Sequence, residues 1–200
     1  MSEASGLRVE PLTGDALQSR LQDLAQLRIS IFREFPYLYD GSLDYEARYL
    51  ATYAASAGSV IVAAFDGDAL VGAATALPLA HEPENVKRPL AEAGFDTSRI
   101  FYFGESVLLP EYRGRRLGHA FFDVREAHAR SFGTFDAACF CAVIRPEDHP
   151  LRPPDYRPLD KFWEKRGYRR LPGLTCTFSW RDLGEPAETP KPMVYWMRDL

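Results

Sequence analysis

The sequence predicts an α/β domain with a mixed, mostly antiparallel sheet of six to seven strands, a central βαβ unit and helices on both faces. Two runs with apolar side chains on both faces, RIFYFGESVLLP and FDAACFCAVI, predict buried central strands. Between them, apolar residues recur at helical spacing. Strand, helix and strand in this order favour parallel pairing with a right-handed crossover. An apolar hairpin before this unit and two strand-like runs after it predict the antiparallel neighbours.

Size, charge and hydropathy restrict the classes of protein that this chain can be. Its 200 residues, 46% of them hydrophobic, suit one domain with a sizeable core, and we assign residues 1–200 to that domain. The net charge is −4 and the charges are interspersed, so we expect no nucleic-acid partner. No apolar run approaches the roughly 20 residues needed to span a bilayer, and MSEASGLRVE lacks a signal-peptide core. We therefore expect a cytoplasmic protein without a membrane partner.

The cysteines indicate neither a disulfide framework nor a metal site. Cys139, Cys141 and Cys176 are an odd number without a CxxC pair, so buried reduced thiols are expected. Cys139 and Cys141 alternate within an apolar run, which puts both on one face of a strand. A nucleophilic Cys141 is the alternative, although no histidine stands at an informative spacing from it.

Two helices are predicted before the main strands. A short strand over 7–12 is followed by Thr13 and Asp15, the candidate N-caps of an amphipathic helix. The apolar residues of that helix recur at helical spacing and are Leu17, Leu21, Leu24, Leu27 and Ile31. Ser42 is expected to cap a second helix, with an inward face of Leu43, Ala47, Leu50 and Ala54.

The remaining elements follow from turn residues and apolar runs. SVIVAAFDG and DALVGAATALPLA predict a hairpin turning at Asp66, Gly67 and Asp68. HEPENVKRPLAEAGFD predicts an excursion with one short helix, and RPEDHPLRPPDYRP an extended loop before a short helix ending at Gly167. LTCTFSWRD and KPMVYWMRDL are the predicted closing strands. We expect MVYWM to be exposed and available to pair two subunits into a homodimer.

The most informative stretch is ESVLLPEYRGRRLGHAFFD, in which a buried strand ends at Pro110 and a turn leads into a helix near Leu117. A helix N-terminus carries free N–H groups and a partial positive charge, so arginines clustered there favour a bound anion. The clustered arginines are Arg113, Arg115 and Arg116. Gly114 and Gly118 would let the backbone approach a phosphate or pyrophosphate closely. A helix start with solvated arginines is the alternative.

Placement strengthens the anion-site interpretation. The turn lies at the carboxyl end of the first strand of the βαβ unit, where open α/β sheets bind ligands. The P-loop pattern GxxxxGK[ST] and the dinucleotide pattern GxGxxG are both absent.

The turn resembles motif A of the GNAT superfamily of acetyl-CoA-dependent N-acetyltransferases, R/Q-x-x-G-x-G/A. Arg113 and Gly118 match its outer positions, whereas Arg116 occupies the place of the inner glycine. LLPEYRGRRLG also has the family's lead-in of hydrophobics, proline and Y-R-G, and FWEKRGY resembles its C-terminal helix motif F-Y-E-K-x-G-F. The order of elements is similar to this superfamily over nearly the whole chain.

The resemblance implies acetyl-CoA as cofactor and an amine as acetyl acceptor. It also implies that the two strands of the βαβ unit splay apart around the pantetheine arm and that the Leu108 amide polarises the thioester carbonyl. The residues expected to contact the cofactor are Val107, Leu108, Leu109, Arg113, Gly114, Arg115, Arg116, Leu117, Gly118, His119, Ala120 and Trp163.

Acetyl transfer needs a neutral amine, donors for the oxyanion and a proton for the departing thiolate. Glu105 is the candidate general base, because a carboxylate inside an apolar strand is costly unless it is paired or used. A structural carboxylate satisfied by a neighbouring arginine, or one pointing to solvent at a strand irregularity, is the alternative. Backbone N–H groups of Val107 to Leu109 are the expected oxyanion donors. Trp163 replaces the family's tyrosine acid, so Tyr156 or Tyr102 is the candidate proton donor.

The acceptor is a small-molecule amine in this interpretation. Tyr37 and Tyr39, with Phe35 and Asp40, lie between the first two predicted helices and suggest an aromatic, partly acidic mouth. Tyr102 and Glu105 complete the predicted acceptor contacts. The loop with Arg145, His149, Arg152 and Arg157 could instead receive an anionic group. Two rival functions remain on the same scaffold, namely a non-catalytic acyl-CoA binding or sensing module and an interaction module without a coenzyme site.

Overall fold

The computed structural model describes residues 6–200, and its strands form one seven-stranded sheet. The strands are β1 (Leu7–Leu12), β2 (Val60–Asp66), β3 (Ala69–Pro78), β4 (Ile100–Leu108), β5 (Ala137–Val143), β6 (Arg169–Trp180) and β7 (Thr189–Asp199). Their order in the sheet is β1-β2-β3-β4-β5-β7-β6. Within residues 6–200, only β4 and β5 pair in parallel, so the predicted mixed, mostly antiparallel sheet with a central βαβ unit is confirmed.

Helices cover both faces of this sheet, as predicted. They are α1 (Gly14–Gln18), α2 (Leu21–Phe32), α3 (Leu43–Ala55), α4 (Glu84–Glu92), α5 (Leu117–Ser131) and α6 (Asp160–Lys165). Buried residues of α1 to α4, among them Leu24 and Leu50, pack in one hydrophobic cluster. On the opposite face, Phe121 and Phe122 of α5 pack in a second cluster, against which Phe162 of α6 also rests. Within residues 6–200, no helix combines the length and apolar character required to cross a bilayer.

The parallel strands β4 and β5 pair over a short distance and then separate. Their register runs from Ile100 opposite Ala137 to Tyr102 opposite Cys139 and extends no further within the described residues. β4 continues to Leu108 beside β3, and β5 continues to Val143 beside β7. A wedge-shaped gap therefore opens between the carboxyl halves of the two central strands, as the sequence resemblance implied.

A β-bulge interrupts β4 where this gap begins. Phe103 faces Ala76 and Ser106 faces Ala74, so Gly104 and Glu105 together oppose Thr75. The Glu105 N–H donates to Thr75 Oγ1 (3.2 Å). Because side chains alternate along a strand, the extra residue turns Glu105 from the α5 face toward the face covered by α2 and α3.

Arg125 of α5 supports the bulge from the opposite face. Its guanidinium donates to the carbonyls of Thr75 (3.3 Å) and Glu105 (3.2 Å) and to Ser106 Oγ (2.9 Å). No carboxylate of the described residues forms an ion pair with it, and burial lowers the pKa of Arg125 to about 10. The irregular backbone of β4 thus obtains hydrogen bonds that a sheet partner does not supply.

Three sequence predictions about these elements are wrong. The first predicted helix is two helices, because Ser19 Oγ donates to the Ala16 carbonyl (2.8 Å) and the backbone breaks before α2. Ser42 does cap α3, accepting from the Tyr45 N–H (3.3 Å), and Leu50 is buried as predicted, but the rest of the buried face differs. That face consists of Glu46, Leu50 and Tyr53, whereas Leu43 and Ala47 are exposed.

The third wrong prediction concerns MVYWM, which was expected to be an exposed strand available for a second subunit. β7 lies between β5 and β6, and Met193 to Met197 are buried. Its backbone groups are paired on both sides, so it offers no edge for a homodimer. MSEASGLRVE, predicted to lack a signal-peptide core, lies partly outside the described residues.

A substitution at Gly104 tests how tightly the side chains pack around the bulge. A Cβ at this position would stand 2.0 Å from Tyr53 Oη and 2.4 Å from Thr75 Oγ1. We expect Gly104→Ala to lower the free energy of unfolding by about 1–3 kcal/mol, the usual cost of overpacking. Urea denaturation followed by circular dichroism measures this change.

Gly118→Ala is the matched control for that substitution. A Cβ at Gly118 would meet only Phe162 Cζ at an ordinary 3.6 Å. We expect the control to be as stable as the wild type or slightly more stable. Equal stability of the two variants would contradict the tight packing around Gly104.

Candidate active site

The turn between β4 and α5 presents a row of backbone N–H groups. A 3₁₀ turn over Pro110–Tyr112 leads to Gly114 (φ 78°) and Arg116 (φ 66°), and α5 begins at Leu117. The N–H groups of residues 114 to 118 have no backbone acceptor among the described residues. The motif's inner glycine position, held by Arg116, has the left-handed conformation that favours glycine. The turn retains the backbone shape of an anion site although the side chain differs.

The arginines of this turn are less free than the sequence indicated. Arg113 forms an ion pair with Glu34 (2.9 Å), and its Nε donates to the Leu108 carbonyl (3.3 Å). Arg115 lies over the ring of Tyr112, 5.2 Å from the ring centroid. The predicted cluster of three uncompensated arginines is therefore wrong for Arg113, because Glu34 of the segment after α2 neutralises it.

The backbone at the end of β4 directs one N–H into the gap. The Leu109 N–H donates to the Val71 carbonyl (3.0 Å), so Leu109 is engaged with β3 and is not an oxyanion donor, contrary to the prediction. Val107 faces Ala73, and by the alternation of an antiparallel ladder its N–H also points toward β3. The intervening Leu108 N–H points the other way, toward the gap where β5 no longer pairs.

Glu105 lies beside this gap in a buried network of charged and phenolic groups. Arg28 of α2 contacts Glu105 Oε2 (2.6 Å) and also pairs with Glu46 of α3. The Tyr49 hydroxyl donates to the same Glu105 oxygen (2.9 Å). Glu105 Oε1 is buried and has no hydrogen-bond partner among the described residues. Glu105 thus has the arginine partner expected of a structural carboxylate, while its other oxygen, Oε1, has no hydrogen-bond partner among the described residues.

The predicted acceptor and acid residues fall in different surroundings. Burial raises the pKa of Tyr37, whose charged and phenolic neighbours include Arg28, Glu105 and Tyr156. Tyr156 is half-buried, its ring 4.7 Å from that of Phe35, and burial raises its pKa too. The structure thus brings Tyr37, Tyr156 and Glu105 into one region.

Tyr39 and Tyr102 belong to the core, and Trp163 is partly buried against it. Tyr39 and Tyr102 are 6% and 4% exposed, and burial raises the pKa of both. Trp163 packs on the α5 face of the sheet against Phe140 and Trp196, with ring centroids 5.0 Å and 5.1 Å away. The burial of Tyr39 and Tyr102 disfavours their predicted contacts with the acceptor, whereas the cofactor contact of Trp163 stays a prediction.

The surroundings disfavour a nucleophilic Cys141 and engage one of the arginines of the alternative anion-receiving loop. Burial raises the pKa of Cys141 well above its usual value, and its Sγ lies 3.4 Å from that of Cys176, so a nucleophilic Cys141 is disfavoured. Arg145 forms a two-pronged ion pair with Asp182 (2.7 and 2.9 Å) and is not free to receive an anion.

Glu82 carries no signal in the sequence pattern, yet the fold brings it to the same network. The Tyr49 and Tyr53 hydroxyls are 3.0 Å apart, and Tyr53 donates weakly to Glu82 Oε1 (3.4 Å). Burial raises the pKa of Glu82 to about 7, and the nearby charge of Glu105 adds to the rise. Glu82 sits in the polar excursion between β3 and β4, where sequence alone favours solvent exposure.

Solved structures with this architecture cover almost the whole chain. A GCN5-related N-acetyltransferase from Kribbella flavida is 18% identical, with a TM-score of 0.57 and 98% coverage of both chains. The yncA protein of Salmonella typhimurium, assigned as an acetyltransferase and solved with its cofactor acetyl-CoA, is 10% identical with a TM-score of 0.62, covering 98% of this chain and 94% of its own. Arabidopsis thaliana NAA60, solved with a bisubstrate analogue, is 13% identical with a TM-score of 0.61, covering 96% and 97%.

The chain has the GNAT fold. No family model matches the sequence, and no curated protein matches it either. At 10% to 18% identity, these likenesses describe the backbone arrangement and not the side chains of the site. In this GNAT fold, the gap between β4 and β5 and the start of α5 are adjacent, and Glu105 lies beside them.

The raised pKa of Glu82 predicts a pH-dependent stability. The carboxyl has a usual pKa of 4.5 when exposed and about 7 in the folded protein, so the folded state binds the extra proton between these values. The contribution of Glu82 to the free energy of unfolding should therefore be greatest below pH 4.5. It should fall by up to about 3 kcal/mol as the pH rises to 7. Urea denaturation at pH 5 and pH 7.5 measures the difference.

Glu82→Gln should remove this part of the pH dependence, because an amide does not titrate in this range. Glu84→Gln is the control, since Glu84 is exposed and pairs with Lys87 (2.8 Å). An unchanged pH profile in Glu82→Gln would show that Glu82 is solvated and charged at neutral pH.

Proposed function

We propose that this protein is a cytoplasmic, single-domain N-acetyltransferase that transfers an acetyl group from acetyl-CoA to the amine of a small molecule by direct attack. The observation that carries the proposal is the gap between β4 and β5, into which the unpaired Leu108 N–H points. The free N–H groups of residues 114 to 118 adjoin it at the start of α5. A fold likeness alone would not specify a reaction, whereas these backbone donors fit one.

The residues of the turn fit a coenzyme pyrophosphate. Five successive N–H groups without backbone acceptors, at the positive end of a 15-residue helix, form an anion-binding backbone. A Cβ at Gly118 would meet no atom within 4 Å except Phe162 Cζ, so the glycine leaves the space over the first turn of α5 open. The arginine side chains are secondary in this proposal, since Arg113 is already paired with Glu34.

Acetyl-CoA, when bound, would supply the activated acetyl thioester. The Leu108 N–H is a fixed donor for the developing oxyanion, and it needs no rearrangement to act as one. yncA of Salmonella typhimurium has acetyl-CoA as its cofactor in the same fold, which supports the cofactor assignment. His119, Ala120 and the turn residues complete the proposed cofactor contacts.

Glu105 is the proposed proton acceptor of the amine. Its Oε1 is buried and unpartnered, so it can accept a proton directly or through water. Arg28 and Tyr49 bind Oε2 and thereby fix the orientation of the carboxylate. Tyr156 is the proposed proton donor to the thiolate because it is half-buried and lies near Tyr37 and Phe35.

A bulky residue at position 118 should weaken cofactor binding. We expect Gly118→Leu to weaken acetyl-CoA binding at least 10-fold, because its side chain would occupy the space above the N–H groups of the turn. Isothermal titration calorimetry measures the affinity. Ala127→Leu, an exposed substitution on the same helix, should bind as the wild type does. Absence of binding to the wild type at millimolar acetyl-CoA would refute the proposed function.

Removing the charge of Glu105 should slow turnover and spare binding. We expect Glu105→Gln to reduce kcat by on the order of 10²- to 10⁴-fold, the usual contribution of a general base. The rate of thiol release from acetyl-CoA across a panel of amines measures this effect. Glu92→Gln, at an exposed position of α4, should leave the rate unchanged.

The result of the Glu105 experiment also separates the rival functions. Full activity in Glu105→Gln would exclude this residue from the mechanism. Acetyl-CoA binding without thiol release for any amine would favour the non-catalytic acyl-CoA module instead.

A further inference from the structure

A partly enclosed cavity lies between α3 and β6, next to the candidate active site. Its volume is about 220 Å³, and its walls include Tyr45, Tyr49, Tyr53, Glu82, Asn85 and Phe178. Four of these six side chains are aromatic, and one carries a carboxylate. The volume suits a small organic molecule better than a folded partner.

Glu82 is the polar group in this cavity whose charge lacks a counter-ion. It is 5% exposed, and no lysine, arginine or histidine within residues 6–200 forms an ion pair with it. The only hydrogen bond that its carboxylate receives from the described residues is the long one from the Tyr53 hydroxyl to Oε1 (3.4 Å). Lys87, on the next turn of α4, pairs with Glu84 instead (2.8 Å). A buried carboxylate in this situation is costly until a cation joins it.

The neighbouring charges do not compensate Glu82. Arg28 lies between Glu46 and Glu105 and pairs with both, so one arginine serves two carboxylates. Arg125 approaches Glu105 from the α5 side of β4 and bonds only backbone carbonyls and a hydroxyl. The titratable and charged groups that surround Glu82 are Tyr49, Tyr53, Lys87, Tyr102, Glu105, Cys139 and Cys176.

The combination of aromatic walls and one buried carboxylate defines the ligand by its chemistry. Aromatic rings attract a cation through the negative potential of their faces, and a desolvated site strengthens this attraction. We propose that this cavity binds the alkylammonium group of a small organic cation, with Glu82 as its counter-ion and Tyr45, Tyr49 and Phe178 as its aromatic walls. An anionic ligand would meet the charge of Glu82, and a neutral one would leave that charge uncompensated.

The cavity is connected to the candidate active site through Tyr49. The side chain of Tyr49 lines the cavity, and its hydroxyl donates to Glu105 (2.9 Å). A cation held at Glu82 is therefore one side chain away from the proposed general base. The identification of this cation with the acetyl acceptor rests on the proposed function, whereas the binding of the cation does not.

Binding of n-butylammonium chloride to the purified chain tests the proposal without acetyl-CoA. NMR titration should show at least 10-fold tighter binding of n-butylammonium than of 1-pentanol, a neutral molecule of similar size. Affinity for the cation should rise about 10-fold from pH 6 to pH 8, because Glu82 loses its proton in this range. Equal affinity for the alcohol would overturn the proposal.

Variants assign the effect to this cavity. Glu82→Gln should lose both the preference for the cation and its pH dependence, whereas Glu84→Gln should keep both. Tyr45→Leu, a substitution that retains Glu82, should weaken cation binding several-fold, and circular dichroism verifies that each variant is folded. Unchanged cation binding in both Glu82→Gln and Tyr45→Leu would also overturn the proposal. Failure of acetyl-CoA binding in calorimetry would refute the proposed function and leave the cation result standing.

Discussion

The geometry of the candidate site depends on the two-residue bulge in β4. Thr75 opposes both Gly104 and Glu105, and this extra residue reverses the facing of every side chain that follows. Without the bulge, Glu105 would enter the apolar cluster under α5 and Ser106 would face Arg28. Arg125 donates hydrogen bonds to the carbonyls of Thr75 and Glu105 from the α5 side. The bulge is therefore stabilised from one face of the sheet, and the Glu105 side chain projects from the other.

The buried charges around the bulge show why the site is costly to maintain. Arg28 satisfies both Glu46 and Glu105, so removing this arginine would leave their buried charges unpaired, which usually costs about 3–5 kcal/mol. Glu105 Oε1 and Glu46 Oε1 lack partners among the described residues even so. A purely structural core would use apolar side chains here. The retention of polar groups beside an open gap is typical of functional sites.

Local patterns were sufficient to predict the fold, because the strands and most helices have strong periodicity and turn residues. The run from Ile100 to Leu108 was recognised as a buried strand, and the Ser42 cap was placed correctly. Local patterns misplaced the inward face of α3, because Arg28 and Glu82, the partners of Glu46 and Tyr53, lie in other segments of the chain. They also missed the pairing of Arg113 with Glu34, two residues 79 positions apart.

The same limit applies to the site. Glu105 was recognisable as a charge within an apolar strand, and the turn at Gly114 by its likeness to a known motif. Glu82 carried no such signal, because its burial results from α3 and β6 closing over a proline-rich excursion. Contacts between distant segments are not encoded in the spacing of any one of them, so cavities and ion pairs of this kind emerge only from the folded chain.

The position of β7 has a consequence for how the protein is made. β6 precedes β7 along the chain, yet it reaches the sheet only through β7, which pairs with β5 on its other side. During translation, β6 therefore lacks a partner strand in the sheet until β7 has left the ribosome exit tunnel, although α4 contacts it. Until then the nascent chain exposes the unpaired edge of the apolar strand β5, a feature that favours aggregation of incompletely folded chains.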